Sequence, residues 1–196
     1  MFKTITIAAA LASFAVGLSA QTTKTADSFK VDYFSGANSE DVPDGTVRIT
    51  NVGTNTGAGN PSGDMGVVIF VFDSDQELTE CCGCVITPDG LLTLSINDDL
   101  TANPLTGNYL TSGVIKIVGA ALTSTTSSIT PLPGIRAWAT HLQASGTATT
   151  EAAFSDATLS AGELKDLEQA CSFILHEGSG AGRCDCGDQV AGPLFH

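Results

Sequence analysis

Three cysteines fall within four residues in CCGC (81–84), and three more follow at Cys171, Cys184 and Cys186. Thiols so spaced offer three kinds of chemistry. Cys81 and Cys84 have CxxC spacing, which in an oxidoreductase lowers the pKa of one thiol. That motif opens a helix on a parallel βαβ scaffold, and no such pattern surrounds this one. CCGC together with CDC (184–186) holds enough sulfur for zinc, yet zinc sites usually present two regularly spaced pairs. The even count of six fits a disulfide framework better, as in chains that mature in an oxidising compartment. A Cys81–Cys82 bridge is strained, because adjacent Cα atoms lie about 3.8 Å apart and disulfides begin near about 4.4 Å. A Cys184–Cys186 bridge would close a very small ring. If each member of the first cluster pairs with one of the second set, six arrangements are left. On an extended strand Cys82 and Cys84 share a face while Cys81 points the other way. The CCGC strand is therefore expected to be tied both to Cys171 and to the CDC tail. Each such bridge closes a loop of about 90 to 100 residues, worth about 4 kcal/mol in chain entropy.

Carboxylates are the second set. DSDQE (73–77) places Asp73, Asp75 and Glu77 at alternate positions, and INDDL (96–100) adds Asp98 and Asp99. A hard cation such as calcium takes oxygen clusters of this kind. The EF-hand pattern fails, since Leu78 stands where glycine is required and Cys84 where the bidentate glutamate belongs. SEDVPDG (39–45) is a further acidic loop that could converge with these in a sandwich; solvated turns are the plainer reading. Asp73, Glu77, Asp98 and Asp99 are also the acids from which a glycosidase pair would be drawn. Other signatures are missing. GSGAGRC (178–184) follows a helical pattern instead of a strand, so it does not read as a phosphate cradle. There is no Gly-x-Ser-x-Gly elbow, and His176-Glu177 lacks the second histidine of a zinc-protease helix. His141 lies in no motif, and Trp138 reads as a core residue.

The compartment follows from the first residues. MFKTITIAAALASFAVGLSAQTT has Lys3 as a short positive region, an apolar run from Ile5 to Val16 and small residues at Ser19-Ala20. That order is a cleaved signal peptide (1–20), and the apolar run is shorter than the roughly 20 residues of a membrane span. Export to the periplasm, cell surface or medium is expected, with no membrane span in the mature form. Cleavage removes Lys3 alone among the charged residues, taking the net charge from −13 to −14. Such an acidic chain lacks the basic footprint that nucleic acid requires.

These residues need elements to position them, and the elements read mainly as strands. FKVDYF (29–34) alternates Phe29, Val31 and Tyr33 against Lys30 and Asp32. PDGTVRITNVG (43–53) puts a turn before Val47 and Ile49 at period two. GVVIFVFD (66–73) is a continuous apolar run, the pattern of a strand covered on both faces. The CCGC segment, LLTLSI (91–96), SGVIKIVGA (112–120) and GIRAWATHLQ (134–143) complete the set. LTSTTSSIT (122–130) suits an edge strand or a loop. One helix stands out in SDATLSAGELKDLEQACSFILHEGSG. Ser160 and Glu163 have capping-box spacing, and Leu164, Leu167, Cys171 and Ile174 recur on one face.

The expectation is a single mainly-β domain, an antiparallel, immunoglobulin-like β-sandwich of about seven strands (21–153). A C-terminal helix (154–178) packs on it, and a disulfide-tied Gly/Cys tail (179–196) follows. VFDSDQELTECCGCVITPDGLLTLSINDDL, GIRAWATHL, FSDATLSAGELKDLEQACSFI and the closing CDCG together resemble a group of small exported bacterial proteins, acidobacterial paralogues with no assigned function. The resemblance spans nearly the whole mature chain. It implies a secreted single domain and carries over no catalytic or binding residue. The leading functional expectation is a non-catalytic structural or adhesive protein that self-associates or meets a cell-surface partner. The alternatives are a calcium or zinc module and a carbohydrate-active enzyme with a carboxylate site.

Overall fold

The structure is a computed structural model that describes residues 27–57, 59–101, 110–124, 128–143 and 148–177. The expected signal peptide, the Gly/Cys tail and Cys184 and Cys186 lie outside the described residues. Two antiparallel sheets face one another as a sandwich. The first, sheet A, has the order β4 (Leu78–Ile86), β3 (Met65–Asp73), β6 (Ser112–Ala120), β1 (Phe29–Ser35), β9 (Ser155–Asp156). The second, sheet B, has the order β5 (Leu91–Ser95), β2 (Thr46–Asn51), β7 (Ile135–Leu142), β8 (Thr149–Ala153). A helix, α1 (Ala161–Glu177), closes the described chain.

The hydrophobic patterns explain this layering. Val67, Ile69 and Val71 of β3 and Ile115 and Ile117 of β6 point into the core between the sheets, where Val47, Ile49, Leu92, Leu94 and Ala137 meet them from sheet B. Val68 and Phe70 of β3 and Val118 of β6 point the other way and meet Leu167 and Cys171 of α1. Sheet A is thus covered on both faces, which is why β3 reads as an unbroken apolar run. Among the described residues sheet B is packed on its inner face, and β2 keeps strict alternation. The helix starts where expected: the Ser160 hydroxyl accepts the Glu163 amide at 3.0 Å, one of the orphan donors of the first turn.

Seven of the nine strands match the apolar segments of the sequence. The other two, β8 (TTEAA) and β9 (SD), are exposed throughout and carry no apolar alternation to announce them. Trp138 corrects an expectation. It follows buried Ala137 and precedes buried Ala139, so it stands on the outer face of sheet B, half-buried and in register with Arg48. The inner positions on either side of it, Ala137 and Ala139, are buried in the core between the sheets together with Ile135.

One buried polar residue fixes the end of the sandwich where β2 stops. The fully buried Asn51 donates to the carbonyls of Gly63 (2.9 Å) and Ile86 (3.0 Å) and accepts from the Gly53 amide. It thereby ties the glycine-rich loop after β2 to the end of β4, with its own buried polar atoms satisfied.

Candidate functional site

The CCGC strand lies within β4, at one edge of sheet A, and its three cysteines divide between the two faces. Cys81, opposite Phe70, points toward α1 and is bonded to Cys171, with Cα atoms 5.6 Å apart. Cys82 and Cys84 point into the core between the sheets, 5% and 0% exposed, and are disulfide-bonded as well. No cysteine among the described residues is free. Sulfur held in a disulfide is neither a zinc thiolate nor an attacking nucleophile. These four residues therefore act as cross-links.

The acidic loops gather at one end of the sandwich. The Asp44 carboxylate accepts the Ser95 hydroxyl at 2.7 Å and the Asn97 amide at 3.1 Å, joining the loop before β2 to the turn after β5. Asn38 donates to Thr101 and to the Leu110 carbonyl there. The β3–β4 turn lies at the same end, since Asp73 is in register with Gly113 and Gly113 with Phe34 near the close of β1. Its carboxylates serve the backbone. Asp73 accepts the amides of Asp75 (2.9 Å) and Glu77 (2.8 Å), which closes the hairpin. In the single helical turn Ile96–Leu100, Asp99 accepts the Ser95 amide at 2.6 Å, while Asp98 is exposed and donates its own amide to the Ser95 hydroxyl. Among the described residues no three histidine, cysteine or acidic side chains are arranged to hold a metal ion. Asp73, Asp75 and Glu77 belong to a turn of sheet A, and Asp98 and Asp99 to a turn of sheet B.

A different group of ionisable residues is brought together where β1 lies over β7. Lys30 and Asp32 are in register with Ile117 and Ile115, and so face the space between the sheets. Phe29 and Val31 take the opposite face, toward α1. The alternation in FKVDYF is real, but its polar side is the inner one. Lys30, 3% exposed, is paired with Asp156 on β9 and with Asp27 at 3.5 Å. Asp27 also meets Arg136 of β7 at 3.0 Å, so this ion network spans both sheets. Burial by itself would raise the Asp27 carboxyl. The hydrogen bond from Arg136 and the charges of Lys30 and Arg136 outweigh it, and its pKa lies below the ordinary value.

One step further along, His141 Nε2 sits 3.1 Å from the Asp32 carboxylate, each side chain 12% exposed, and the Tyr33 ring lies 4.7 Å from the imidazole. A carboxylate that orients an imidazole is half of an acid–base constellation. The other half is absent among the described residues: His141 Nδ1 is buried and has no hydrogen-bond partner. Asp27, Lys30, Asp32, Arg136, His141 and Asp156 thus form a polar seam that ties the two sheets together where β1 meets β7. Asp32 and His141 are 109 positions apart, and no local motif connects them.

No protein-family model, no curated protein and no solved structure matches this chain. No helix among the described residues is long and apolar enough to cross a membrane.

Proposed function

We propose that the chain is a non-catalytic, exported structural or adhesive protein, a disulfide-stapled β-sandwich that acts through its surfaces. The observation that supports this best is how the chemically capable residues are employed. Cys81, Cys82, Cys84 and Cys171 are disulfide-bonded, Asp73 and Asp99 close turns, and Asp32 with His141 joins two sheets. Disulfides at a sheet edge also suit an oxidising compartment. With Cys81 committed to Cys171, we infer that Cys82 and Cys84 bridge to Cys184 and Cys186, which lie outside the described residues.

The test is fractionation of the host cell into cytoplasm, periplasm, envelope and medium, followed by intact mass measurement after alkylation without reduction. The expected protein lies outside the cytoplasm, begins near Gln21, resists alkylation at all six cysteines and carries no metal. Cytoplasmic recovery with reactive thiols would overturn the proposal. So would turnover of a glycoside substrate that is lost in Asp73→Ala or Asp98→Ala.

A further inference from the structure

Sheet edges are where a β-protein invites or refuses another chain, because each presents a row of unused amides and carbonyls. The four edges here are treated differently. β4 carries three disulfide-bonded cysteines, Cys81, Cys82 and Cys84, and so is cross-linked along its middle. β9 is two residues long. At β5 the amide of Ser95 is taken by the Asp99 carboxylate. Among the described residues β8 has none of these protections.

The bonding pattern shows which groups β8 leaves open. Gln143 donates to the Ala148 carbonyl and Phe154 to the Ala137 carbonyl. Bonded pairs alternate along an antiparallel ladder, so Thr150 and Ala152 are the residues that bond to β7. The amides and carbonyls of Thr149, Glu151 and Ala153 therefore point away from the sheet. No described residue bonds those three amides, and all five residues of β8 are exposed. The register with β7 runs through five consecutive pairs with no bulge. The strand has no proline and no lysine. Its one charge, Glu151, is drawn onto the outer face of the sheet by Arg48 and neutralised there. Among the described residues, a five-residue edge without a bulge is left unpaired.

We infer that this edge of β8 receives the same strand from a second copy of the chain, in antiparallel register, so that two four-stranded sheets become one. This inference rests on the self-associating structural reading above and names the surface that carries it. What matches a row of alternating donors and acceptors is another extended strand, and an antiparallel pair is self-complementary about a two-fold axis. Charge favours that orientation. Glu40, Asp41, Asp44, Asp73, Asp75, Glu77, Asp98 and Asp99 all lie in loops at the end of the sandwich where β8 begins, and those loops contain no lysine or arginine. Antiparallel pairing places the two acidic ends far apart, whereas a parallel pair would set them side by side. The contact is short, so association depends on concentration.

The experiment is sedimentation equilibrium of the mature, disulfide-intact protein from about 1 μM to about 1 mM, with amide hydrogen exchange over the same range. The weight-average mass is expected to rise toward twice the monomer value. Exchange should slow selectively at Thr149, Glu151 and Ala153. Ala153→Pro removes one outward amide without touching a bond to β7, and should hold the mass at the monomer value while circular dichroism and melting temperature are kept. If that variant fails to fold, residue-resolved exchange in the unaltered protein decides the matter. A monomer mass at every concentration overturns the inference, as does protection that maps elsewhere, or protection at these three amides only when envelope extract is added. A folded Ala153→Pro that still dimerises also overturns the edge assignment but leaves self-association standing, which separates the two failures.

Discussion

Asp27 shows how a single carboxylate is set by its surroundings. Its folded pKa is lowered, so the unfolded chain binds the proton more readily and stability rises with pH across that range. The contribution is fully present above the unfolded carboxylate value of about 3.9 and is lost as pH falls through the lower folded value. Asp27→Asn should be less stable than the parent at neutral pH in urea unfolding. The two should converge toward about pH 2; a gap independent of pH would show that the ion pairs to Lys30 and Arg136 do not matter. Trp138 offers a second measurement, because it is the only tryptophan. Half-buried on the outer face of sheet B, it should be quenched by acrylamide in the folded state. Trp138→Ala should cost well below the about 3–5 kcal/mol of a core tryptophan. Neither placement could be read locally. RAWAT has the alternation of a strand, but alternation names two faces without saying which is inside. FKVDYF shows the same ambiguity: its alternation separates two faces, of which the apolar one meets α1 and the polar one forms the seam.

Among the elements, α1 and β4 depend on each other. The helix lays Leu167 and Cys171 on sheet A, and the Cys81–Cys171 bond fixes that contact across a sequence separation of 90. Replacing both cysteines by alanine should lower stability by about 4 kcal/mol, seen as a lower urea midpoint with Asn51 and the inner core unaffected. An unchanged midpoint would mean that apolar contact alone seats the helix. The sequence was most informative here. Opposite faces for Cys81 and its neighbours follow from strand geometry, and the cap at Ser160 from its spacing to Glu163. β8 and β9 were illegible because threonine, glutamate and small residues, exposed on both sides, leave no hydrophobic period to detect.

Taken whole, the molecule separates its charge from its cross-links. Acidic loops occupy one end, where Asp44 joins segments 51 residues apart. The disulfides sit across the middle of an edge strand. Sequence position alone suggested that the acidic loops could converge, and they do share an end, but among the described residues Asp73 and Asp99 close turns and no three acids gather to hold a metal ion. What the chain could not reveal in advance was the pairing of distant ionisable groups, because sheet order decides it: β1 reaches β7 only once both sheets are assembled.

The Cys81–Cys171 bond also determines how the protein would carry a mechanical load. Tension applied at the two termini would pass from Cys81 directly to Cys171 and bypass β5 through β9 and most of the helix. At about 3.3–3.6 Å per extended residue, the shielded stretch withholds at least about 300 Å of contour length from a pulled molecule. Single-molecule extension without reductant should fall short by that amount, and adding reductant should release it. A chain wired in this way keeps about half of its mature length from extending under strain, a property that suits an anchor more than a hinge.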